Sequence, residues 1–199
     1  MMEMTKVACV GDSITWGYSI IGRSRYSYPA VLQQLLGEGY EVKNFGFNDA
    51  SARLDADTPY VTKEVYGQSH EFQPDIVVIM LGSNDTKRRN WDPEKYRHGY
   101  TTIIDSYLAL DSHPKICLMT PPHIYNVLGI NIYSLFEETV ANGVIPVVQS
   151  MAAERGFQVI DVHSLLDRKS LFNDGVHPGR EGARMIAELV ASAIRQWND

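Results

Sequence analysis

A serine that follows the first apolar run of this sequence is a candidate nucleophile. Residues 6–10 are short, apolar and rich in β-branched side chains, which predicts a buried strand, and Gly11, Asp12 and Ser13 come directly after them. Glycine and aspartate favour tight turns, so we expect the chain to bend here and to present the serine hydroxyl at the end of the strand. Taken alone, these three residues are also typical of an ordinary turn after a strand.

A base and an acid that could activate such a serine occur together near the end of the sequence. His177 lies three residues after Asp174, and Gly175 relaxes the turn between them. A neutral imidazole can take the proton of a serine hydroxyl, and a carboxylate on its other nitrogen fixes the tautomer. Asp-Gly is also a common turn, and His177-Pro178 is also typical of a loop that leads into a helix.

Three groups could stabilise the negative oxygen that forms when a serine attacks an ester. Asn84 offers a side-chain amide, and Ser13 and Gly46 offer backbone N–H groups. Donors aimed at such an oxyanion contribute about 3 kcal/mol each. The alternative is that residues 82–85 form a polar turn and that Gly46 only ends a strand.

The apolar pattern predicts the elements that must position these groups. Short apolar runs predict five strands, at residues 6–10, 41–45, 75–81, 115–119 and 157–162. Helical periodicity and start signals predict helices at about residues 27–36, 93–110, 131–155 and 182–197, the third broken by Gly143 and Pro146. Residues 48–72 are less regular and predict only short helices near residues 53–57 and 62–68.

Alternating strands and helices predict an α/β fold, in which helices cover both faces of one parallel sheet. Residues 1–199 are expected to form a single domain. Each of four candidate segments follows a predicted strand: Ser13, Gly46, Asn84 and residues 174–177. The carboxyl ends of parallel strands lie at one edge of the sheet, so these segments are expected to share one cleft.

Four short motifs in this order resemble the SGNH hydrolase (GDSL esterase/lipase) family, and the resemblance covers nearly the whole chain. The motifs are Gly11-Asp12-Ser13, Asn44-Phe45-Gly46, Gly82-Ser83-Asn84-Asp85 and Asp174-Gly175-Val176-His177. The resemblance implies a three-layer α/β/α fold with a five-stranded sheet in flavodoxin-like order. It also implies that Ser13 is the nucleophile, His177 the base and Asp174 the orienting acid. The implied oxyanion hole consists of the Ser13 and Gly46 amides and the Asn84 side chain.

Two features depart from familiar hydrolase patterns. The second motif of the family often reads Asn-x-Gly-x-x-Gly, but Asp49 stands where its second glycine would be, so the direction of the Gly46 amide is open. Ser13 also lacks the Gly-x-Ser-x-Gly elbow, which argues against the α/β-hydrolase fold.

The resemblance favours a serine esterase that removes a short acyl group, acetyl first, from a carbohydrate. Residues 74–85 and Asn90-Trp91 are similar to members known as sialate O-acetylesterases or carbohydrate acetylesterases. A lysophospholipase or thioesterase of the same family is the alternative. A non-catalytic flavodoxin-like binding module is a third reading, but neither Gly-x-Gly-x-x-Gly nor a P-loop pattern occurs.

Trp91, a short way past Asn84, and Asp12, beside the serine, are the predicted substrate contacts. Arg88 and Arg89 are predicted to lie in a solvated loop, with contact to an anionic substrate as the alternative. The remaining histidines have no metal-ligand spacing, so neither a metal site nor a cofactor is expected: His70, His98, His113, His123 and His163.

Composition argues against several classes of partner. Hydrophobic residues make up 44% of the chain and charged residues 21%, which is typical of globular proteins. The net charge of −6, without a basic stripe, argues against nucleic acid. We see no signal peptide and no membrane-spanning run, and Cys9 and Cys117 lie in apolar runs typical of reduced, buried thiols. A cytoplasmic protein is expected, with a small or oligosaccharide ester as its partner and its oligomeric state open.

Overall fold

The computed structural model describes residues 4–197, which form a parallel sheet between two layers of helices. The strands are β1 (Thr5–Gly11), β2 (Tyr40–Gly46), β3 (Ile76–Met80), β4 (Lys115–Met119) and β5 (Gln158–Ile160). All neighbouring pairs are parallel, and the spatial order is β2-β1-β3-β4-β5. This order is flavodoxin-like, so the predicted fold class is confirmed.

The α-helices fall between and after the strands. They are α1 (Ser13–Trp16), α2 (Arg23–Tyr26), α3 (Tyr28–Leu36), α4 (Glu64–Glu71), α5 (Pro93–Leu108), α6 (Glu137–Thr139), α7 (Ile145–Arg155), α8 (Val162–Leu165) and α9 (Arg180–Arg195). Residues of α3 and α9 pack on one face of the sheet, and residues of α5 and α7 pack on the other. Alternation along β1 divides its side chains between these two cores, since Cys9 faces the first and Val10 the second.

The irregular part of the sequence contains no helix at residues 53–57, where one was predicted. The backbone N–H groups of Ala52 and Arg53 donate to the Asp85 carboxylate instead, at 2.9 Å each. A side chain that takes these donors offers the backbone an alternative to helical hydrogen bonds. The second predicted short helix is α4, which begins at Glu64.

The helix predicted over residues 131–155 begins later than expected, at Glu137. Residues 124–136 form a loop, and a π-helical segment, Val140–Val144, precedes α7. Gly143 lies in the π-helical segment and Pro146 in the first turn of α7 directly after it, so the helical geometry changes where Gly143 and Pro146 predict a break or kink. Because residues 124–136 are not helical, this loop extends to Asp174, which accepts a hydrogen bond from Tyr133.

Two further sequence expectations can be compared with the structure. Cys9 and Cys117 are both buried and free, as predicted. Within residues 4–197, no helix combines the length and the apolar character that a bilayer crossing requires.

Candidate active site

Ser13 is held at the carboxyl edge of the sheet by the first turn of α1. Asp12 caps this turn, because its Oδ1 accepts the N–H of Ile14 at 2.9 Å. Ser13 is the first residue of the helix, so its own N–H has no partner within the helix. The connections that leave the neighbouring strands β1 and β3 lead to helices on opposite faces of the sheet, and open α/β sheets bind their ligands at such a position.

The imidazole of His177 joins Ser13 to Asp174 across the chain. Ser13 Oγ lies 2.9 Å from His177 Nε2, and His177 Nδ1 lies 2.7 Å from Asp174 Oδ2. With the proton on Nδ1, the ring donates to the carboxylate and accepts from the serine hydroxyl. The structure thus brings the three predicted catalytic residues into one hydrogen-bonded line, an arrangement that can transfer the serine proton to the ring.

The Asp174 carboxylate is held by four donors. Its Oδ1 accepts the N–H groups of Val176 and His177, at 3.0 and 2.8 Å, and the Tyr133 hydroxyl donates to Oδ2 at 2.8 Å. Burial opposes ionisation, but the hydrogen bonds from His177 and from Tyr133 outweigh it and keep the pKa of Asp174 well below its usual range. Asp174 is therefore a carboxylate when it accepts the hydrogen bond from the imidazole.

Two tyrosine rings enclose the imidazole. The Tyr18 ring lies 4.5 Å from the His177 ring between centroids, and the Tyr133 ring meets it edge-on at 5.1 Å. His177 is only 5% exposed, so the rings exclude most water from the proton path. Neither tyrosine was predicted to contact His177, because the sequence shows no spacing that links them.

The side chain of Asn84 borders the same pocket as Ser13, as predicted. Asn84 is 4% exposed, and its Nδ2 donates to the carbonyl oxygen of Ala50 at 3.1 Å. An amide nitrogen carries two protons, so a second proton remains for a ligand in the pocket. The Asp85 carboxylate next to it anchors Ala52 and Arg53, and burial raises the pKa of Asp85 to about 6.

The backbone N–H of Gly46 does not have the predicted direction. It donates to Asn44 Oδ1 at 2.9 Å, and Gly46 does not border the Ser13 pocket. A Cβ at this position would lie 2.2 Å from the backbone nitrogen of Trp16, so the glycine is needed for the close approach of β2 to α1. The Gly46 amide is thus engaged elsewhere and lies outside the pocket for which it was predicted.

Asp49, three residues after Gly46, is the residue of this motif that lies at the pocket. It borders the pocket, and its φ of 63° lies in the left-handed region that usually favours glycine. Its N–H forms no hydrogen bond with any residue from 4 to 197. The signal was present in the sequence, since Asp49 occupies the position where the motif often has its second glycine.

The Ser13 pocket is small, with a volume of about 180 Å³. Two tyrosines and two aliphatic side chains line it together with polar groups. The lining residues are Ser13, Tyr18, Asn48, Asp49, Ser83, Asn84, Tyr133, Leu135, Val176 and His177. Such a pocket accommodates a small group near the hydroxyl and leaves the rest of a larger ligand outside.

Trp91 and Asp12 lie outside the lining of this pocket, so their positions do not support the predicted substrate contacts. The Trp91 ring packs against Gly143 and Tyr96 on one side of the sheet. Asp12 is 1% exposed, and burial raises its pKa to about 6. Its carboxylate caps α1 and thereby fixes the turn that begins with Ser13.

A second cavity, of about 530 Å³, adjoins the Ser13 pocket at Tyr133. Lys87, Arg88 and Arg89 give it cationic character, and the Arg88 guanidinium lies 5.2 Å from the centre of the Phe136 ring. Arg88 and Arg89 are both exposed, in agreement with the predicted solvated loop, and they also line this concave surface.

Known proteins are similar to this chain along nearly its whole length. A sequence model of the GDSL-like Lipase/Acylhydrolase family matches residues 9–185. A protein named acetylxylan esterase, from Xylanibacter ruminicola, is 35% identical over 97% of this chain and 44% of its own length. A multidomain esterase from Ruminococcus flavefaciens is 26% identical over 96% of this chain and 28% of its own length. The chain thus spans less than half the length of these curated relatives.

Solved structures share the fold. The aryl esterase of M. smegmatis superimposes with a TM-score of 0.80 at 21% identity, over 96% of this chain and 99% of that one. A carbohydrate acetylesterase from Sinorhizobium meliloti gives a TM-score of 0.81 at 19% identity, over 97% and 99% of the two chains. The family match over residues 9–185 and the 35% identical relative, together with this fold, identify the chain as a member of the GDSL-like lipase/acylhydrolase family.

Proposed function

We propose that this chain is a serine esterase that hydrolyses short acyl esters of carbohydrates through an acyl-enzyme. Acetyl esters are its preferred substrates. The observation that carries the proposal is the hydrogen-bonded line from Ser13 Oγ to His177 Nε2, at 2.9 Å, and from His177 Nδ1 to Asp174. The names of the acetylxylan esterase and carbohydrate acetylesterase relatives support the choice of substrate.

In the first half of the reaction, Ser13 Oγ attacks the carbonyl carbon of the ester while His177 Nε2 accepts the hydroxyl proton. The carbonyl oxygen becomes an oxyanion beside the N–H groups of Ser13 and Asp49 and the Asn84 amide. These donors are fixed before the reaction, so they stabilise the new charge without reorganisation. The tetrahedral intermediate then breaks its bond to the alcohol oxygen, which leaves with the proton held by His177.

In the second half, water attacks the acyl-enzyme carbonyl, and His177 takes a proton from the water. The same donors stabilise the second oxyanion, and Ser13 recovers its proton as the carboxylic acid leaves. Asp174 keeps its negative charge throughout and stabilises the imidazolium form of the ring.

The acyl group is placed against Leu135 and Val176, the apolar part of the small pocket. The alcohol is placed toward the wider cavity that Tyr133 shares with Arg88 and Phe136. A pocket of about 180 Å³ favours acetyl over long acyl chains, which a lysophospholipase or a long-chain thioesterase would have to accommodate.

Acyl-length preference tests this proposal. With 4-nitrophenyl esters from acetyl to octanoyl, we expect kcat/KM to be highest for acetyl and to fall by about tenfold or more at octanoyl. One missing or added methylene in an apolar pocket changes discrimination by roughly tenfold or more, so a longer chain is rejected readily. Faster turnover of octanoyl would refute the short-acyl assignment and favour the lysophospholipase or thioesterase alternative.

The control for this series uses two residues of one apolar cluster. Leu135 and Ile124 are both buried in it, but only Leu135 borders the pocket. Leu135→Ala is expected to move the preferred chain from acetyl toward butyryl, whereas Ile124→Ala is expected to destabilise the protein without moving it. An equal shift in both variants would contradict the placement of the acyl group.

Tyr133→Phe tests the support of the acid. The substitution removes one of the two donors to Asp174 Oδ2 and keeps the ring against His177. We expect kcat to fall by about tenfold or more, the equivalent of one hydrogen bond to a charged group. The substitution also raises the pKa of Asp174, because the Tyr133 hydroxyl is one of the donors that keep it low. Steady-state kinetics on the acetyl ester measure the effect, and an unchanged kcat would show that Tyr133 serves only to shape the pocket.

A further inference from the structure

Two histidines and a glutamate that lie far apart in the sequence meet outside the Ser13 pocket. His123 Nδ1 and His163 Nε2 both contact Glu137 Oε1, each at 2.8 Å, and the centroids of the two imidazole rings are 3.6 Å apart. The three donor atoms all lie within 4.8 Å of one another. His123 follows β4, Glu137 begins α6 and His163 lies in the first turn of α8. Sequence spacing did not predict the cluster, since the fold alone brings these segments together.

The arrangement suits a divalent cation better than it suits two protons. In the absence of an ion, both imidazole nitrogens must donate to a single carboxylate oxygen. If both rings carried a charge, two positive charges would lie close together and share one negative carboxylate. One divalent ion between two neutral imidazoles and a carboxylate replaces both protons and balances the charge.

The distances are close to those of a zinc site. Bonds of about 2.0–2.1 Å from zinc to imidazole nitrogen and carboxylate oxygen place tetrahedral ligands about 3.3 Å apart. The two observed nitrogen–oxygen contacts of 2.8 Å would thus open by about half an ångström. The three side chains are 15–34% exposed, which permits that adjustment and leaves access for the ion and a water molecule.

Neighbouring groups orient the three side chains. Glu137 Oε2 accepts the backbone N–H of Ile124 at 2.6 Å, which turns Oε1 toward the imidazoles. The backbone N–H of His163 donates to Thr120 Oγ1 at 3.0 Å, and this fixes the start of α8. Outer partners of this kind hold metal ligands in place and raise affinity.

We propose that His123, Glu137 and His163 bind one divalent transition-metal ion, zinc by preference, with water at the fourth position. Imidazole and carboxylate ligands suit zinc, and three protein ligands with one open position are a common zinc arrangement. The site is separate from Ser13 and takes no part in the bond changes at the ester.

The bound ion would fasten the loop at residues 124–136 to α8. That loop carries Tyr133, which donates to Asp174, and Leu135, which lines the pocket. Besides its own Val127–Ile130 bridge, the loop backbone is joined to the rest of the fold by Tyr125 N–H to the Gly175 carbonyl at 2.7 Å and by Phe136 N–H to Thr86 Oγ1 at 3.0 Å, and neither bond reaches α8. The ion is therefore a cross-link that stabilises the loop beside the active site.

Zinc titration of the untagged, chelator-treated protein tests the site directly. Isothermal calorimetry with Zn²⁺ is expected to give one saturable site in the wild type. His123→Gln, Glu137→Gln and His163→Gln are each expected to weaken binding by about a hundredfold or more, since each removes a ligand. His98→Gln, an exposed histidine elsewhere, and His177→Asn, which removes the catalytic imidazole, are expected to keep the site.

A second measurement needs no variant. Hydrogen–deuterium exchange of the wild type with and without Zn²⁺ is expected to show protection at residues 121–137 and 161–166. Zn²⁺ is also expected to raise the melting temperature by at least about 3 °C, because only the folded chain holds all three ligands together.

Three results would overturn the proposal. The first is the absence of saturable Zn²⁺ binding in the wild type at micromolar protein. The second is retention of the site in all three glutamine variants, or its loss in His177→Asn. The third is protection centred on Ser13 and His177 instead of the loop. None of these outcomes depends on esterase activity, so the metal site and the proposed function fail separately.

Discussion

Ser13→Ala is expected to lower kcat on 4-nitrophenyl acetate by at least about a thousandfold. The substitution removes the only atom that the proposal allows to form the acyl-enzyme, and it leaves the oxyanion donors and the pocket in place. The remaining activity comes from those donors acting on a water-catalysed reaction. Steady-state kinetics give the loss, and a fluorophosphonate probe gives an independent measure, because it should modify Ser13 of the wild type and nothing in the variant.

Ser83 provides the matched control, since it borders the same pocket and is 2% exposed. Unlike Ser13, it forms no hydrogen bond with a histidine within residues 4–197, and its hydroxyl interacts with the Asp12 carboxylate instead. Ser83→Ala is expected to keep kcat within about fivefold and to keep the labelling of residue 13. If Ser13→Ala retained more than about a tenth of the activity, or if the probe modified Ser83, the assignment of the nucleophile would be wrong. Failure of the wild type to react would favour the binding-module reading.

The sequence could predict the sheet and the hydrogen-bonded arrangement of Ser13, His177 and Asp174, because both follow from local signals and from parallel topology. The apolar residues 75–81 suit a strand buried on both faces, and β3 lies in the middle of the sheet. Ser13 and Asn84 each follow such a strand, so parallel topology alone brings them to one edge. Asp174 and His177 are three residues apart, and their hydrogen bond follows from one turn of the chain.

The direction of the Gly46 amide could not be predicted from the sequence, because it depends on side-chain packing. Gly46 ends β2, its N–H donates to the Asn44 side chain two residues earlier, and α1 packs closely against it. Asp49 borders the pocket in a left-handed conformation, which residue type alone would assign to a glycine. Residue type therefore does not identify which amide near the end of β2 lies at the pocket.

The loop at residues 124–136 was the other failure of prediction. Apolar residues near its end suggested a helix from about residue 131, but the loop instead directs the Tyr133 hydroxyl to Asp174 and Glu137 to two histidines. These contacts join residues that are 14 to 41 positions apart in the sequence. The periodicity of apolar residues, which predicts helices and strands, does not predict such contacts. Sequence reasoning thus locates the reacting groups, whereas the groups that hold them are visible only in the folded chain.

Asn84→Ala is the second substitution with a large expected effect. It removes the side-chain donor from the oxyanion, so kcat is expected to fall by about a hundred- to a thousandfold. KM should change by less than about threefold, because the ground-state carbonyl gains little from a donor aimed at the oxyanion. The substitution also frees the carbonyl of Ala50, which adds a stability loss of about 1 kcal/mol. Kinetics on the acetyl ester and a thermal melt measure the two effects separately.

Asn90 separates the catalytic loss from the structural one. It is 2% exposed, lies outside the Ser13 pocket and donates through Nδ2 to the carbonyl oxygen of Asn84 at 3.1 Å. Asn90→Ala should lower stability at least as much as Asn84→Ala, since it also loses its bond to Asp57, but it should keep kcat within about fivefold. Equal losses of kcat in the two variants would mean that the Asn84 amide supports the loop and not the oxyanion. A loss confined to Asn84→Ala, with KM unchanged, would place its Nδ2 on the negative oxygen of the transition state.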